Sequence, residues 1–267
     1  MPNIEDVAFS RLLRLSNIWD VGNSGVQTSF INNLARMTET DKIIRVVCKS
    51  VSFENNAYNI YTSGPFKNNV FTWEILFDTT YSYTINEPGF YTAQQLIDIL
   101  QPVIEASLQA ITPGMTLTME IGEFSKKIEY STDSNLTVLH IDAVGSLNPF
   151  LGNNEYSPGI LLGFPYTSDS LPNLAGLQNV YVNSTTMAEG NLVDGDVENH
   201  DILAEVPVTV PFGSRVNYES RDDELDSVNY ESVRNFDSIK VTLVDINNTP
   251  IELNGGNVIV VLKIYYL

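Results

Sequence analysis

The chain has 267 residues, 43% of them hydrophobic, enough to bury a full core as one large β domain or two small ones. Its 14 basic and 33 acidic residues give a formal net charge of −19, a poor match for the phosphate backbone of nucleic acids or for an anionic membrane surface. A single cysteine, Cys48, excludes an intrachain disulfide and fits a protein folded in a reducing compartment.

The first 40 residues differ from the rest. They are rich in Asn and Ser and carry scattered large apolar residues, among them Phe9, Leu12, Leu13, Leu15, Ile18 and Trp19. Strand alternation is absent here, and the spacing allows one short helix over Ala8 to Leu15. The expectation is an N-terminal arm over 1–40 that docks through its apolar anchors. Acidic residues come early and no apolar run follows, so the segment does not read as a signal peptide. The N-x-S/T triplets at Asn135, Asn183 and Asn247 are then chance matches.

From Ile43 the pattern becomes period two. In IIRVVCKSV, Ile44, Val46 and Cys48 face one way and Arg45 and Lys49 the other, so Cys48 is a small core residue and not a nucleophile. VFTWEILFD and YSYTI follow as aromatic strands.

The segment PGFYTAQQLIDILQPVIEASLQAITPG (88–114) is the one strong helix. Thr92 and Gln95 form a T-x-x-Q capping box, and Tyr91 with Leu96 can staple across it. Ile97, Leu100, Ile104, Leu108 and Ile111 recur at three and four residues as an apolar stripe. Asp98, Gln101, Glu105 and Gln109 take the polar side. Pro102 predicts a kink or break, and Thr112-Pro113-Gly114 ends the segment. Such a helix covers apolar surface at a flank of a sandwich.

MTLTMEI, FSKKIEY and LTVLHID continue as strands, in what the spacing suggests is a meander. Residues 145–201 are rich in Gly, Pro, Asn and Ser and read as a loop-rich insertion, with NVYVNS as one strand inside it. ILAEVPVTV, SIKVTLVDI and NVIVVLKIYY close the chain. The last is apolar on both faces apart from Lys263, as in a central or covered strand. About ten strand candidates without βαβ alternation or a fixed repeat predict an all-β fold. The architecture expected is a single jelly-roll antiparallel β-sandwich over 41–267, with one long flanking helix and no second domain.

Catalytic chemistry is missing from the pattern. His140 and His200 are the two histidines, and His140 reads as a solvated or hydrogen-bonded strand residue opposite in facing to Leu139 and Ile141. There is no G-x-S-x-G, H-E-x-x-H, P-loop or C-x-x-C. Two carboxylates would suffice for a glycosidase, but carboxylates on loops are a common background. The acidic run from Glu189 to Glu205 offers Asp194, Asp196 and Glu198 as oxygen ligands for calcium. D-G-D-x-E departs from the EF-hand order, so this run and RDDELDS at Arg221 read as solvated loops. No catalytic, cofactor-binding or metal site is assigned, no cofactor is expected, and the chain is not expected to be an enzyme.

The order of motifs carries a resemblance. SVSFENNAYNI (50–60) is followed by the PGFYTAQQLIDIL helix and LLGF (161–164). NLAGLQNVYVNS (173–184), EVPVTVPFGSRVNY (205–218) and a final pair of strands joined by LNGG come after. From about Lys42 to the C-terminus this order resembles the single jelly-roll penton or minor capsid proteins of virophages, polinton-like viruses and nucleocytoplasmic large DNA viruses. The resemblance implies a homopentamer at the vertex of an icosahedral double-stranded DNA virus. Its partners would be major capsid protein capsomers and other minor capsid proteins, with no direct nucleic acid and no membrane insertion. It would reside in the virion after synthesis in the host cytoplasm, unsecreted. A chain too short for two jelly rolls fits the vertex better than the major capsid role. The competing reading is a jelly-roll attachment head that binds a receptor or glycan through loop aromatics, for which Tyr156, Tyr166 and Tyr181 are available.

Overall fold

The computed structural model describes residues 9–16, 29–33, 43–76, 79–133, 139–141, 145–155, 165–184, 191–192, 199–200, 202–221, 227–234 and 238–266. In chain order the chain first forms β1 (Phe9–Ser16), β2 (Ser29–Asn33) and β3 (Ile43–Glu54). Next come β4 (Val70–Ile75), β5 (Thr79–Thr84), α1 (Ala93–Ile111), β6 (Leu117–Ile121), β7 (Ile128–Thr132), β8 (Leu139–Ile141) and β9 (Tyr166–Thr167). The chain closes with β10 (Asn179–Asn183), β11 (Asn191–Leu192), β12 (Asn199–His200), β13 (Ile202–Pro207), β14 (Arg215–Glu219), β15 (Ser227–Arg234), β16 (Ser238–Val244) and β17 (Val258–Tyr266). Two compact units result: Met1–Ala57 with Leu177–Leu267, and Tyr58–Gly176.

The first unit is a sandwich. One sheet runs β1-β17-β3-β14, with β15 also pairing β3, and the other runs β13-β10-β16-β2. Both are antiparallel throughout. Their inner faces share one apolar cluster: Val46, Cys48, Val51, Phe53, Val260 and Leu262 from the first sheet, Val180, Val182, Val206, Val241 and Leu243 from the second. The pattern of β3 shifts inside the strand. Leu262 opposes Cys48 while Val261 opposes Ser50, so Lys49 is an extra residue, a β-bulge. The bulge moves the buried set from Val46 and Cys48 to Val51 and Phe53, which keeps a 12-residue strand facing one core. β17 lies between β1 and β3, as its apolar sequence predicted, and Lys263 Nζ sits 4.6 Å from the centroid of the Tyr265 ring.

The second unit has its own core. Its sheets are β5-β4-β8 and β6-β7-β9, and α1 packs on β6 and β5. Leu96, Ile97, Leu100, Ile104 and Leu108 bury the helix stripe against Phe71, Trp73, Leu117, Ile128 and Tyr130. The long helix is therefore the lid of this unit's core. Thr92 and Gln95 form the expected capping box, Gln95 N–H donating to Thr92 Oγ1 at 3.2 Å and Thr92 N–H to Gln95 Oε1 at 2.9 Å. Pro102 does not break the helix. It lies on the exposed side together with Asp98, whose carbonyl loses its partner, so water can satisfy that oxygen. The polar side is not wholly free. Gln101 Oε1 accepts from Met119 N–H at 3.1 Å and Gln109 Nε2 donates to Met115 O at 3.0 Å, so the helix covers the open edge of β6.

The all-β jelly-roll class with one long helix is the class found. Several expectations differ in detail. The short helix expected over Ala8 to Leu15 is not formed by its described residues: β1 pairs with β17 from Phe9↔Tyr266 to Ser16↔Ile259. Sheet pairing overrides local spacing there, because Leu15 joins the sandwich core. The arm expected over 1–40 thus supplies strands to both sheets. The loop-rich insertion expected over 145–201 is not the boundary that the packing follows. The second unit is inserted between Ala57 and Leu177, where composition does not change. The meander holds only for β4-β5 and β6-β7, since β8 pairs with β4 and β9 with β7. The strands on either side of LNGG do not pair: β16 and β17 belong to different sheets.

Asparagine side chains stand in for backbone partners at two places in the second unit. Asn148 Oδ1 accepts from Thr72 N–H at 3.0 Å while its Nδ2 donates to Thr72 O at 2.8 Å, as a paired strand would. Asn68 does the same between Tyr61 N–H and Asn59 O, both at 2.8 Å. Both side chains are buried. This is how an irregular unit satisfies backbone groups away from water.

Candidate assembly surface

Among the described residues, none of the chemistry singled out in the sequence is brought together. His140 is buried with Leu139 and Ile141, not solvated, because both faces of β8 are covered. Cys48 is wholly buried in the sandwich core, as expected. His200 lies in β12, which pairs with β11 across Asn191↔His200 and Leu192↔Asn199. The calcium candidates Asp194, Asp196 and Glu198 fall between those strands and lie outside the described residues, as do LLGF at 161–164, Trp19 and Tyr156. Among the described residues no group of three His, Cys, Asp or Glu side chains could hold a metal ion. No helix among them is long and apolar enough to cross a membrane.

Two of the three aromatics for a glycan platform are core residues. Tyr166 is buried in β9, its ring centroid 5.8 Å from that of Tyr130. Tyr181 is buried in β10 beside Glu205, whose Oε1 accepts from its hydroxyl at 3.4 Å. Tyr166 belongs to the second unit's core cluster, and Tyr181, on the face of β10 opposite Val180 and Val182, is covered too, so neither ring is open to a stacking sugar.

The surface feature that sequence reasoning missed is the turn between β6 and β7. FSKKIEY has the pattern of a strand beginning at Phe124, but the strand begins at Ile128. Residues 122–127 form a closed turn. Gly122 N–H donates to Lys127 O and Lys126 N–H to Gly122 O, both at 2.9 Å. Ser125 Oγ donates to Glu129 Oε1 at 2.9 Å and accepts from Lys127 N–H at 3.3 Å. A Cβ on Gly122 would displace the ends of the Glu129 and Ser125 side chains and disturb the hydrogen bond between them. Lys126 takes φ 56°. Lys127 Nζ donates to Asp169 O at 2.6 Å, fastening the turn to the segment after β9. At its tip Phe124 is 94% exposed, and Ile121 on the same hairpin is partly exposed.

Hydrogen bonds hold the base of the hairpin. Asp169 Oδ2 accepts from the N–H groups of Asn154 and Glu155, each at 2.8 Å. Ile128 N–H donates to Ser168 Oγ at 3.1 Å. Tyr130 on β7 is wholly buried, and its hydroxyl accepts from Asn153 Nδ2 at 2.9 Å. Burial pushes the Tyr130 phenol well above the ordinary 10.0, and Tyr166 and Asp169 nearby add to it. The folded state thus holds this proton more tightly than the unfolded chain. Its stabilising effect is complete below pH 10 and is lost as pH rises beyond it. Tyr130→Phe should cost about 1–2 kcal/mol at neutral pH, because the Asn153 amide loses its partner. It should also flatten the fall in stability between neutral pH and about pH 11. Urea midpoints across that range test this, and an unchanged alkaline slope would refute the assignment.

The fold has counterparts among solved structures. The crystal structure of the selenomethionine-labelled mavirus penton protein superposes with a TM-score of 0.60 over 97% of this chain and 100% of that one, at 13% sequence identity. The chain is penton-like in fold. No protein-family model matches the sequence, and no curated protein matches it. At 13% identity the agreement lies in the course of the backbone, not in shared side chains.

Proposed function

We propose that this chain is the penton of an icosahedral double-stranded DNA virus, a structural capsid protein that assembles as a homopentamer at the vertex. The observation that carries this reading is the fold similarity to the mavirus penton protein over nearly the whole of both chains. A partial match could reflect a shared sandwich alone, whereas this one includes the inserted unit and its helix. In this reading the neighbours are major capsid proteins and other minor capsid proteins, the site of residence is the virion, and no catalysis is required.

Light scattering on the purified chain at several concentrations tests it. The expected species has a mass of about 150 kDa, five times the chain mass of 29.7 kDa. A single-chain mass at every concentration would count against self-assembly of this chain.

A further inference from the structure

We propose that Asn254 is a site of spontaneous covalent modification, an asparagine that converts in the folded chain to aspartyl and isoaspartyl residues with water as the co-reactant.

Asn254 and Gly255 are the central residues of a turn closed by Gly256 N–H, which donates to Leu253 O at 2.8 Å. Both have positive φ, 46° and 84°. Asparagine and glycine tolerate that region best, so the turn itself selects the pair. Of the chain's 27 asparagines, Asn254 alone is followed by glycine. The attacking atom is the backbone nitrogen of the next residue, and a side chain on that residue obstructs its approach to the amide carbon. At Gly255 nothing lies within 4 Å of where a Cβ would stand. Its N–H takes no part in the backbone hydrogen bonds that close the turn, so the nitrogen is open to base. Asn254 and Gly255 are both exposed, which admits hydroxide and water. One hydrogen bond holds the Asn254 side chain, Nδ2 donating to Asn56 O at 2.7 Å. Asn59, Asn68 and Asn148, in contrast, are buried and each held by two or more.

The step balances without a redox partner. Gly255 N gives its proton to hydroxide and bonds to Asn254 Cγ. The Cγ–Nδ2 bond breaks, and Nδ2 leaves as ammonia with a proton from water. The five-membered imide then adds water at Cγ, giving an aspartyl residue, or at the backbone carbonyl, giving an isoaspartyl one. Either product loses the donor to Asn56 O and sets a carboxylate in its place. The isoaspartyl form also lengthens the backbone by one carbon. The turn has little slack for it, because Leu253 before it and Val258 at the start of β17 are both buried in the sandwich core.

Mass spectrometry of the native chain, incubated at mildly alkaline pH and then digested with trypsin, tests this on the peptide 241–263 between Lys240 and Lys263. A gain of about 1 Da should appear at Asn254 before any other asparagine, divided between two products that chromatography separates. The thermal midpoint should fall as the gain accumulates. Asn254→Gly keeps the backbone conformation and removes the amide. It should start slightly below wild type, lacking the bond to Asn56, and then hold its midpoint through the incubation. Modification first at another asparagine, or an unchanged peptide, overturns the proposal. So does a gain at Asn254 that appears only in urea, since the folded turn would then shield the amide from attack.

Discussion

Leu100→Asp should unfold the inserted unit and leave the sandwich standing. Leu100 is wholly buried at the middle of α1, in the same cluster as Phe71, Trp73 and Tyr130. Removing a buried leucine costs about 2–5 kcal/mol, and the carboxyl group adds its own desolvation. The total, about 5 kcal/mol or more, matches the whole stability of many small domains. The sandwich should tolerate this. For it, the inserted unit is one long connection between β3 and β10, and loop-closure entropy grows only with the logarithm of length. Hydrogen exchange separates the two outcomes. Amides of α1, β6 and β7 should lose protection, while those of β3 and β17 keep it. Glu105→Lys, on the outer side of the same helix, should change stability by less than about 0.5 kcal/mol. Uniform loss of protection across both units would show that they fold as one cooperative body.

That contrast also shows what was legible in the sequence. All ten strand candidates are present, because each alternates or runs apolar against a core. The helix was legible for the same reason, down to its cap. Seven of the described strands were not, and three of them, β1, β14 and β15, show why. In FSRLLRLS, Leu12 breaks the period of two that Leu13 and Leu15 keep, and β14 and β15 are dominated by polar residues (RVNYE and SVNYESVR). These strands exist because β3 and β17 offer edges, a cause that no local window contains. The division into units was hidden likewise, since alternation says that a strand has an inner face but not which core receives it. The hairpin tip was hidden by a different ambiguity. Phe124 followed by Ile128 and Tyr130 looks like one strand, although Gly122 and the two lysines mark the turn. Nor did Gln101 announce its role, since a polar residue on a helix gives no sign that a strand edge lies beside it.

The asparagines carry the least legible part of the fold, and they give the other large expected effect. Asn59 reads as a loop residue, yet its side chain is buried and makes three bonds. Nδ2 donates to Tyr91 O at 2.7 Å and to Leu174 O at 2.9 Å, and Oδ1 accepts from Tyr91 N–H at 2.8 Å. One amide thus ties the start of the unit to the residue before the helix cap and to the unit's last segment. Asn59→Ala should cost about 3 kcal/mol, since three backbone groups lose their partner away from water. Asn59→Asp keeps the shape and turns both donors into acceptors, so two carbonyls would face a carboxylate. Its cost at neutral pH should equal or exceed that of the alanine. The new carboxyl would hold its proton more tightly in the folded state than in the unfolded one. Stability should therefore return as pH falls towards about 4, because the protonated group can donate again. The alanine variant has no group to protonate and should show no such recovery. Chemical denaturation of both variants at the two pH values decides the matter. Equal and small losses, below about 1 kcal/mol and without acid recovery, would mean that packing holds this junction and the amide does not.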